Sequence, residues 1–194
     1  MIKFRIQIII SFLFCTTIIA QTKNERESRI KASKFPENAI EVLKVVPKEA
    51  KRTKYYREID GSKKSFESKF KYNHHWYSIE FDSLGKLEDI EIKIKEGELP
   101  RKTLKNIENY LDKNSEKSDI IKIQEQYLYN PQYLETELLK NLFENRSEVI
   151  SNYELILALR VDKIWKLQEV TFDSLGNFLS KRTIKPDSYE YIMY

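Results

Sequence analysis

The stretch Phe81-Asp82-Ser83-Leu84-Gly85 returns unchanged as Phe172-Asp173-Ser174-Leu175-Gly176, and a tryptophan precedes each copy, at Trp76 and Trp165. The aspartate of each copy can accept a local hydrogen bond that starts a turn, and the glycine can take the left-handed conformation. Five identical residues in one context indicate an internal repeat. We therefore predict two strand–turn–strand hairpins, with structural turns at Asp82, Gly85, Asp173 and Gly176.

The segments on both sides of these turns alternate between apolar and polar residues. Ile90, Ile92 and Ile94 alternate with Glu91 and Lys93, which predicts an antiparallel strand with one buried face and one face in water. The same period of two predicts further strands over 53–59, 66–72, 75–81, 119–129, 153–161, 164–172 and 178–184.

Three predicted helices each begin at a proline. Pro36 opens one that ends at Pro47, Pro100 opens a second, and Pro131 opens a third that runs to about Arg146. We predict an α+β fold made of two repeats of a helix plus an antiparallel β-sheet, with the helices packed on one sheet face. The sequence leaves open whether the strands form one continuous sheet or two. The predicted organisation is a signal peptide over 1–20, a flexible leader over 21–34, a first α+β repeat over 35–97 and a second over 98–194.

The first twenty residues have the pattern of a signal peptide. Lys3 and Arg5 precede an apolar run from Ile6 to Ala20, and we predict cleavage after Ala20. As a membrane anchor the run would span about 22 Å, which is short of a hydrocarbon core of ~30 Å. Lipidation at Cys15 is disfavoured by the bulky Phe14 before it. The pattern predicts a periplasmic or secreted protein that keeps no transmembrane segment after cleavage.

Composition excludes several classes of function. Loss of the predicted signal leaves 32 basic residues against 30 acidic ones and removes the single cysteine of the chain. The mature protein would then have no disulfide, no thiolate nucleophile and no cysteine ligand for a metal. The balanced charge argues against a nucleic-acid partner, and four glycines in the whole chain argue against a glycine-rich nucleotide-binding loop.

Catalytic and metal-binding patterns are weak. His74 and His75 could form a metal site with Asp82 or Glu80, but adjacent residues of a strand point to opposite faces, so both rings cannot easily hold one ion. We predict instead a hairpin bend with one ring packed and the other exposed. Calcium at the repeated turn would need further acidic ligands where Ser83 and Leu84 stand. Carboxylate pairs such as Glu88-Asp89 are explained by solvated strand faces. We predict no catalytic residue, no metal and no cofactor.

Aromatic side chains on the strands are better candidates for function, because tryptophan and tyrosine bury large areas at binding hot spots. The candidate binding residues are Tyr72, Trp76, Tyr77 and Trp165, with core packing as the alternative for each. Trp76 and Tyr77 are adjacent, which predicts that one of the two faces outward and the other inward. The segment from Tyr189 to Tyr194 either packs as a last strand or engages a partner.

Short motifs resemble the PepSY-like, beta-lactamase-inhibitor-like modules of exported bacterial proteins. They are the helix from Pro100 to Leu111, Tyr153-Glu154-Leu155, and Val170 to Asp173 with Gly176; Phe81-Asp82 and Gly85 match in the first copy. The resemblance covers roughly residues 35–184. It implies tandem helix-plus-sheet repeats and the binding, with inhibition as one form, of a secreted enzyme. It implies no catalytic residue.

The sequence thus predicts an exported, non-catalytic binding module with a protein partner, such as an inhibitor or modulator of an envelope or secreted enzyme. The alternatives are a secreted hydrolase with an unrecognised site and a structural envelope protein. Solvent-facing aromatic side chains on the sheet would favour binding, whereas convergent buried ionisable groups in a pocket would favour catalysis.

The export prediction can be checked by mass spectrometry of the protein recovered outside the cytoplasm. We expect an N-terminus at Gln21, because the charged start, the apolar run and the small residue before the cleavage point all fit a removable signal. An exported protein that still begins at Met1 would contradict it.

Overall fold

The computed structural model describes residues 22–144, 146 and 150–185. Within these ranges the chain forms ten β-strands and three α-helices, together with short 3-10 turns at Ala32–Lys34 and Glu96–Glu98. The predicted signal peptide and the segment from Tyr189 to Tyr194 lie outside the described residues. The elements are β1 (Thr22–Lys23), β2 (Glu25–Ile30), α1 (Glu37–Leu43), β3 (Lys51–Asp60), β4 (Lys63–Tyr72), β5 (His75–Asp82), β6 (Leu87–Ile94), α2 (Arg101–Asn114), β7 (Lys117–Leu128), α3 (Glu135–Glu144), β8 (Asn152–Val161), β9 (Ile164–Asp173) and β10 (Phe178–Ile184).

All ten strands belong to one sheet, in the order β1-β10-β9-β8-β7-β6-β5-β4-β3-β2. Neighbouring strands are antiparallel, except that β1 runs parallel to β10. Strands β1 and β2 are separated by Asn24 alone, yet they lie at opposite edges of the sheet. The sheet therefore curls until its two edges almost meet, and it is nearly closed and barrel-like.

The predicted α+β fold of two helix-plus-sheet repeats is wrong. Strand β6 pairs with β7 from Asp89 opposite Leu128 to Ile94 opposite Ile123, so the sheet continues across the predicted boundary at residues 97 and 98. Only 24% of the structure is helical. A local sequence repeat fixes two similar turns, but it does not separate the strands around them into two units, because backbone hydrogen bonds join any two exposed strand edges.

The predicted flexible leader over 21–34 also differs from the structure. Residues 22–30 form β1 and β2, with Glu25 opposite Asp60 and Ile30 opposite Tyr55 on β3. This segment has no alternation of apolar and polar residues, so its strand character is invisible to a hydrophobic pattern. It forms strands because its backbone pairs with β10 at one edge of the sheet and with β3 at the other.

One face of the sheet is apolar and packs against the three helices. Alternate residues of the strands point to this face, and Ile79, Ile90, Leu155 and Phe172 on it are completely buried. The helices contribute one apolar stripe each, which buries Ala39 and Val42 from α1, Ile107 and Leu111 from α2, and Leu139 and Leu142 from α3. Within the part of the chain that the structure describes, none of the helices is long and apolar enough to span a bilayer.

The two copies of the repeated motif form turns of the same geometry. Asp82 Oδ1 accepts hydrogen bonds from the backbone N–H groups of Leu84 and Lys86, at 2.8 and 3.0 Å. Asp173 Oδ1 accepts the equivalent pair. Gly85 and Gly176 have φ values of +79° and +82°, a conformation that costs other residues free energy.

Each of these glycines also lies against the start of a helix. A Cβ added to Gly85 would come within 2.7 Å of Pro36 Cβ, and one added to Gly176 would clash with the Thr103 carbonyl oxygen. Thr103 Oγ1 in turn donates to the carbonyl of Ser174 at 3.1 Å. The turns therefore set the distance between the sheet and helices α1 and α2.

Replacement of Gly176 by valine should lower the free energy of unfolding by more than about 1 kcal/mol, because the β-branched side chain is strained at positive φ and meets the α2 backbone. Urea unfolding measures this change. Gly97 has ordinary φ and open space around it, so Gly97→Ala is the matched control and should leave stability almost unchanged. Equal stability of Gly176→Val and the parent would contradict the structural role of this turn.

Candidate functional site: the polar inner face of the sheet

The second face of the sheet lies inside the curl, and most of its residues are polar, apart from a small apolar cluster of Ile121, Ile156, Leu167 and Ile184. Glu67 and Glu91 on this inner face are only 3% and 7% exposed. The prediction that Glu91 lies on a face in water is therefore wrong. Alternation identifies two faces of a strand, but here the curvature of the sheet buries the polar face as well.

One end of the inner face encloses a small cavity of about 190 Å³. We call it the acidic chamber and define it by the charged residues that line it. The carboxylates come from five strands and the cations from three. They are Glu25, Glu58, Asp60, Glu80, Asp89, Glu91 and Glu154, with Lys23, Lys63 and Arg182.

Burial raises the pKa of several of these carboxyl groups, because the charged form loses its hydration. The pKa of Glu91 rises to about 8 through burial and the charge of Glu80. Burial and the charge of Glu67 raise the pKa of nearby Glu27 to about 7. Burial also raises the pKa values of Glu80 and Glu154, and neighbouring carboxylates add to both shifts. Part of this acidic cluster therefore holds protons near neutral pH.

Ion pairs join the two edges of the sheet beside the chamber. Arg182 on β10 donates to Asp60 on β3 at 2.9 Å and to Glu169 on β9 at 2.7 Å. Lys23 on β1 also pairs with Glu169, and the N–H of Asn24 donates to Asp60 at 2.8 Å. Burial acts to raise the pKa of Glu169, but Lys23 and Arg182 outweigh it and hold this pKa at about 2.

Three carboxylates could hold a metal by geometry alone. Oxygen atoms of Glu25, Glu27 and Glu58 lie within 4.8 Å of one another. However, Lys23 pairs with Glu25 at 2.8 Å and Lys69 pairs with Glu27. Since lysines already offset two of the three charges, we assign no metal to this cluster.

The opposite end of the inner face forms a second cavity, of about 280 Å³. We call it the basic mouth and define it by Arg52, Lys54, Lys93 and Lys122 around the indole of Trp76. Among the residues that the structure describes, none of these four cations has a carboxylate within 4.0 Å.

The lysines of the basic mouth differ from Lys69, which lies deeper in the same cavity. Lys69 pairs with Glu27 and Glu67 and lies 5.1 Å from the ring centroid of Tyr56. By contrast, burial and the charge of Lys122 lower the pKa of Lys93. The four cations of the basic mouth thus form no ion pair with a carboxylate among the described residues.

The structure divides the four candidate binding residues between the two faces. Trp76 is partly buried and lines the basic mouth. Trp165 lies four residues before Glu169 on β9, so it is on the same inner face, and it is 49% exposed. Tyr77 is 4% exposed on the helix side, where its ring stacks on Phe70 at 5.4 Å between centroids. Tyr72 is on the same side, with its ring centroid 5.6 Å from that of Phe143.

His74 lies in the two-residue turn between β4 and β5, and His75 is the first residue of β5. His75 Nε2 is 2.7 Å from Glu98 Oε1 and 3.0 Å from an Arg146 guanidinium nitrogen. His74 is exposed and has a φ of +68°. The two rings therefore lie in different environments, that of His75 in polar contacts and that of His74 exposed to solvent.

Sequence reasoning missed the four cations of the basic mouth. Arg52 and Lys54 belong to β3, Lys93 to β6 and Lys122 to β7, so up to seventy residues separate them along the chain. The signal available was the alternation of Lys93 with buried isoleucines. It places Lys93 on the polar face, but only the register of the sheet shows which residues are its neighbours.

Comparison with known proteins gives a likeness of fold. No family model matches the chain, and no curated protein matches it. A DUF2874 family protein from Bacteroides ovatus has 12% identity and a TM-score of 0.52, with 77% of this chain and 87% of that chain covered. A protein from Bacteroides eggerthii, provisionally classed as periplasmic, has 9% identity and a TM-score of 0.50, covering 77% and 88%.

A BLIP-like protein from Bacteroides fragilis is also similar, with 13% identity, a TM-score of 0.48, and 77% and 86% of the two chains covered. Its TM-score is the lowest of the three, so the similarity of fold is taken from the Bacteroides ovatus and Bacteroides eggerthii proteins. The structural neighbours are thus DUF2874 family proteins and others from Bacteroides, one of them called BLIP-like. The PepSY-like part of the sequence resemblance has no support among them.

The raised pKa of Glu91 in the acidic chamber predicts that the protein becomes less stable as pH rises. Between the ordinary glutamate pKa of 4.5 and the raised value of about 8, Glu91 binds more protons in the folded than in the unfolded state. The free energy of unfolding therefore falls as pH rises from 5 to 8. Glu91→Gln keeps the shape without the charge and should reduce this fall by on the order of 1–3 kcal/mol.

Urea unfolding at pH 5 and pH 8 measures the difference. The matched control is Glu108→Gln, which removes a carboxylate from the exposed surface of α2 and should retain the pH dependence of the parent. The measurements do not extend below pH 5 because the pKa of Glu169 is lowered. Below that pH, protonation of Glu169 makes the free energy of unfolding rise with pH, which opposes the contribution of Glu91. The same pH dependence in Glu91→Gln and the parent would contradict the burial argument.

Proposed function

We propose that this protein is an exported, non-catalytic binding module that engages a protein partner at the basic mouth. The observation that carries the proposal is the position of Trp76. Its indole forms a wall of a cavity that is also lined by the four cations of the basic mouth, none of which has a carboxylate within 4.0 Å among the described residues. Tryptophan in a pocket of this kind is typical of a binding hot spot.

Export is supported by the sequence pattern of residues 1–20 and by the periplasmic classification of the Bacteroides eggerthii neighbour. We propose an envelope or secreted enzyme as the first class of partner to examine, since the sequence motifs resemble beta-lactamase-inhibitor-like modules. Binding could inhibit or modulate such an enzyme.

A secreted hydrolase is the second candidate, and the acidic chamber favours it. Buried carboxylates with raised pKa values converge there, as acid–base chemistry requires. However, a cavity of about 190 Å³ has room for only a few water molecules. Lys23 and Arg182, which hold the sheet edges together, also line it. We therefore place binding first. A structural envelope role has no comparable observation in its favour.

Trp76→Ala should weaken partner binding by at least about tenfold, corresponding to the loss of a hot-spot residue, while the melting temperature changes little. The adjacent Tyr77→Ala should instead destabilise the protein by about 3–5 kcal/mol, because it leaves a cavity in the core. Thermal melts separate the two effects, and quantitative pull-down from envelope extract compares the variants.

Tyr133→Ala is the matched control for binding. Tyr133 is an exposed aromatic residue that lies outside the basic mouth, so its loss should leave the captured partners unchanged. If Trp76→Ala folds normally and captures every partner that the parent captures, the basic mouth is not the binding site.

A further inference from the structure

We infer that the basic mouth takes an acidic segment of the partner, with aspartate or glutamate side chains next to an aromatic or aliphatic one. This inference rests on the proposed function and specifies the chemistry of its site. It is carried by four cations without carboxylate partners in the described structure, by a strained backbone that presents one of them, and by the apolar wall between them.

Two of the cations belong to adjacent strands and repel each other. Lys93 on β6 is paired with Gln124 on β7, and Lys122 lies two residues from Gln124 on the same face. Lys93 and Lys122 are therefore diagonal neighbours. Both are partly buried, so the repulsion is screened less than it would be in open water. A bound carboxylate would remove this cost.

The other two cations come from an irregular part of β3. The pairing of β3 with β4 shifts between Lys51 and Lys54, which marks a β-bulge. Within it Arg52 has a φ of +61°, a conformation that is unfavourable for a residue with a side chain. Bulges redirect side chains at functional places, and this one directs Arg52 to the basic mouth.

The surroundings favour a short acidic segment over a long polyanion. The cavity of about 280 Å³ accommodates a few side chains, and the ring of Trp76 offers them apolar contact. Farther along the inner face the partner would meet Glu67 and then the acidic chamber. A nucleic-acid strand that followed the inner face would be repelled there, whereas a peptide needs acidic side chains only at the mouth.

The test is selection from a library of random peptides on the Trp165→Phe protein, in which Trp76 is the single tryptophan. We expect the selected peptides to be enriched in aspartate and glutamate, and their binding to change the emission of Trp76. Lys122→Gln should weaken them at least about fivefold, and added salt should weaken them further. Lys64→Gln removes an equal charge from an exposed position outside the mouth and should have no effect.

Several results would overturn the inference. One is a set of selected peptides that change Trp76 emission but carry no excess of acidic residues. Another is a set of peptides that bind the Lys122→Gln variant as tightly as they bind the parent. The proposed function would survive either result. Tighter binding of a single-stranded oligothymidylate than of the best acidic peptide would make nucleic acid the partner. Failure of the proposed function is recognised separately, by Trp76→Ala retaining every partner in the pull-down.

Discussion

The structure depends on the closure of its sheet, and a single short segment provides that closure. Strand β1 pairs with β10, strand β2 pairs with β3, and only Asn24 lies between them. Two backbone pairings make β1 a weak element by itself. The ion pairs of Lys23 and Arg182 with Glu169, and of Arg182 with Asp60, reinforce it. Because they are partly shielded from water, they are worth more than exposed pairs of the same geometry.

Closure changes the chemistry of several carboxylates on the inner face. In an open antiparallel sheet a polar face is hydrated, and its carboxylates keep ordinary pKa values. Inside the curl, burial raises the pKa values of Glu80, Glu91 and Glu154. The protein therefore has two interiors, an apolar one under the helices and a largely polar and charged one inside the sheet. The charged interior is stable only because protons and lysines offset part of its negative charge.

Much of the local structure could be predicted from the sequence, because it is encoded locally. The turns at Asp82-Gly85 and Asp173-Gly176 and the helix that follows Pro100 depend on residues within a few positions of one another. The pairing of β6 with β7 and the strand at residues 22–30 could not be predicted in this way. They depend on which edges meet in the folded chain, and residues 22–30 have no hydrophobic pattern to reveal it. The prediction of two separate repeats failed for the same reason.

The candidate site was foreseen only in part. Adjacent positions on a strand required Trp76 and Tyr77 to face opposite sides, but nothing local indicates that Trp76 meets Lys93 and Lys122. The sheet also determines which cations remain available to a ligand. Lys23, Lys69 and Arg182 lie beside the carboxylates of the inner face and are neutralised there. Lys93 and Lys122 lie toward the opposite end, where burial and like charge lower the pKa of Lys93. Within the described residues, the carboxylates of the inner face are therefore concentrated where they hold the sheet edges together, and the cations that have no carboxylate within 4.0 Å line a cavity beside Trp76.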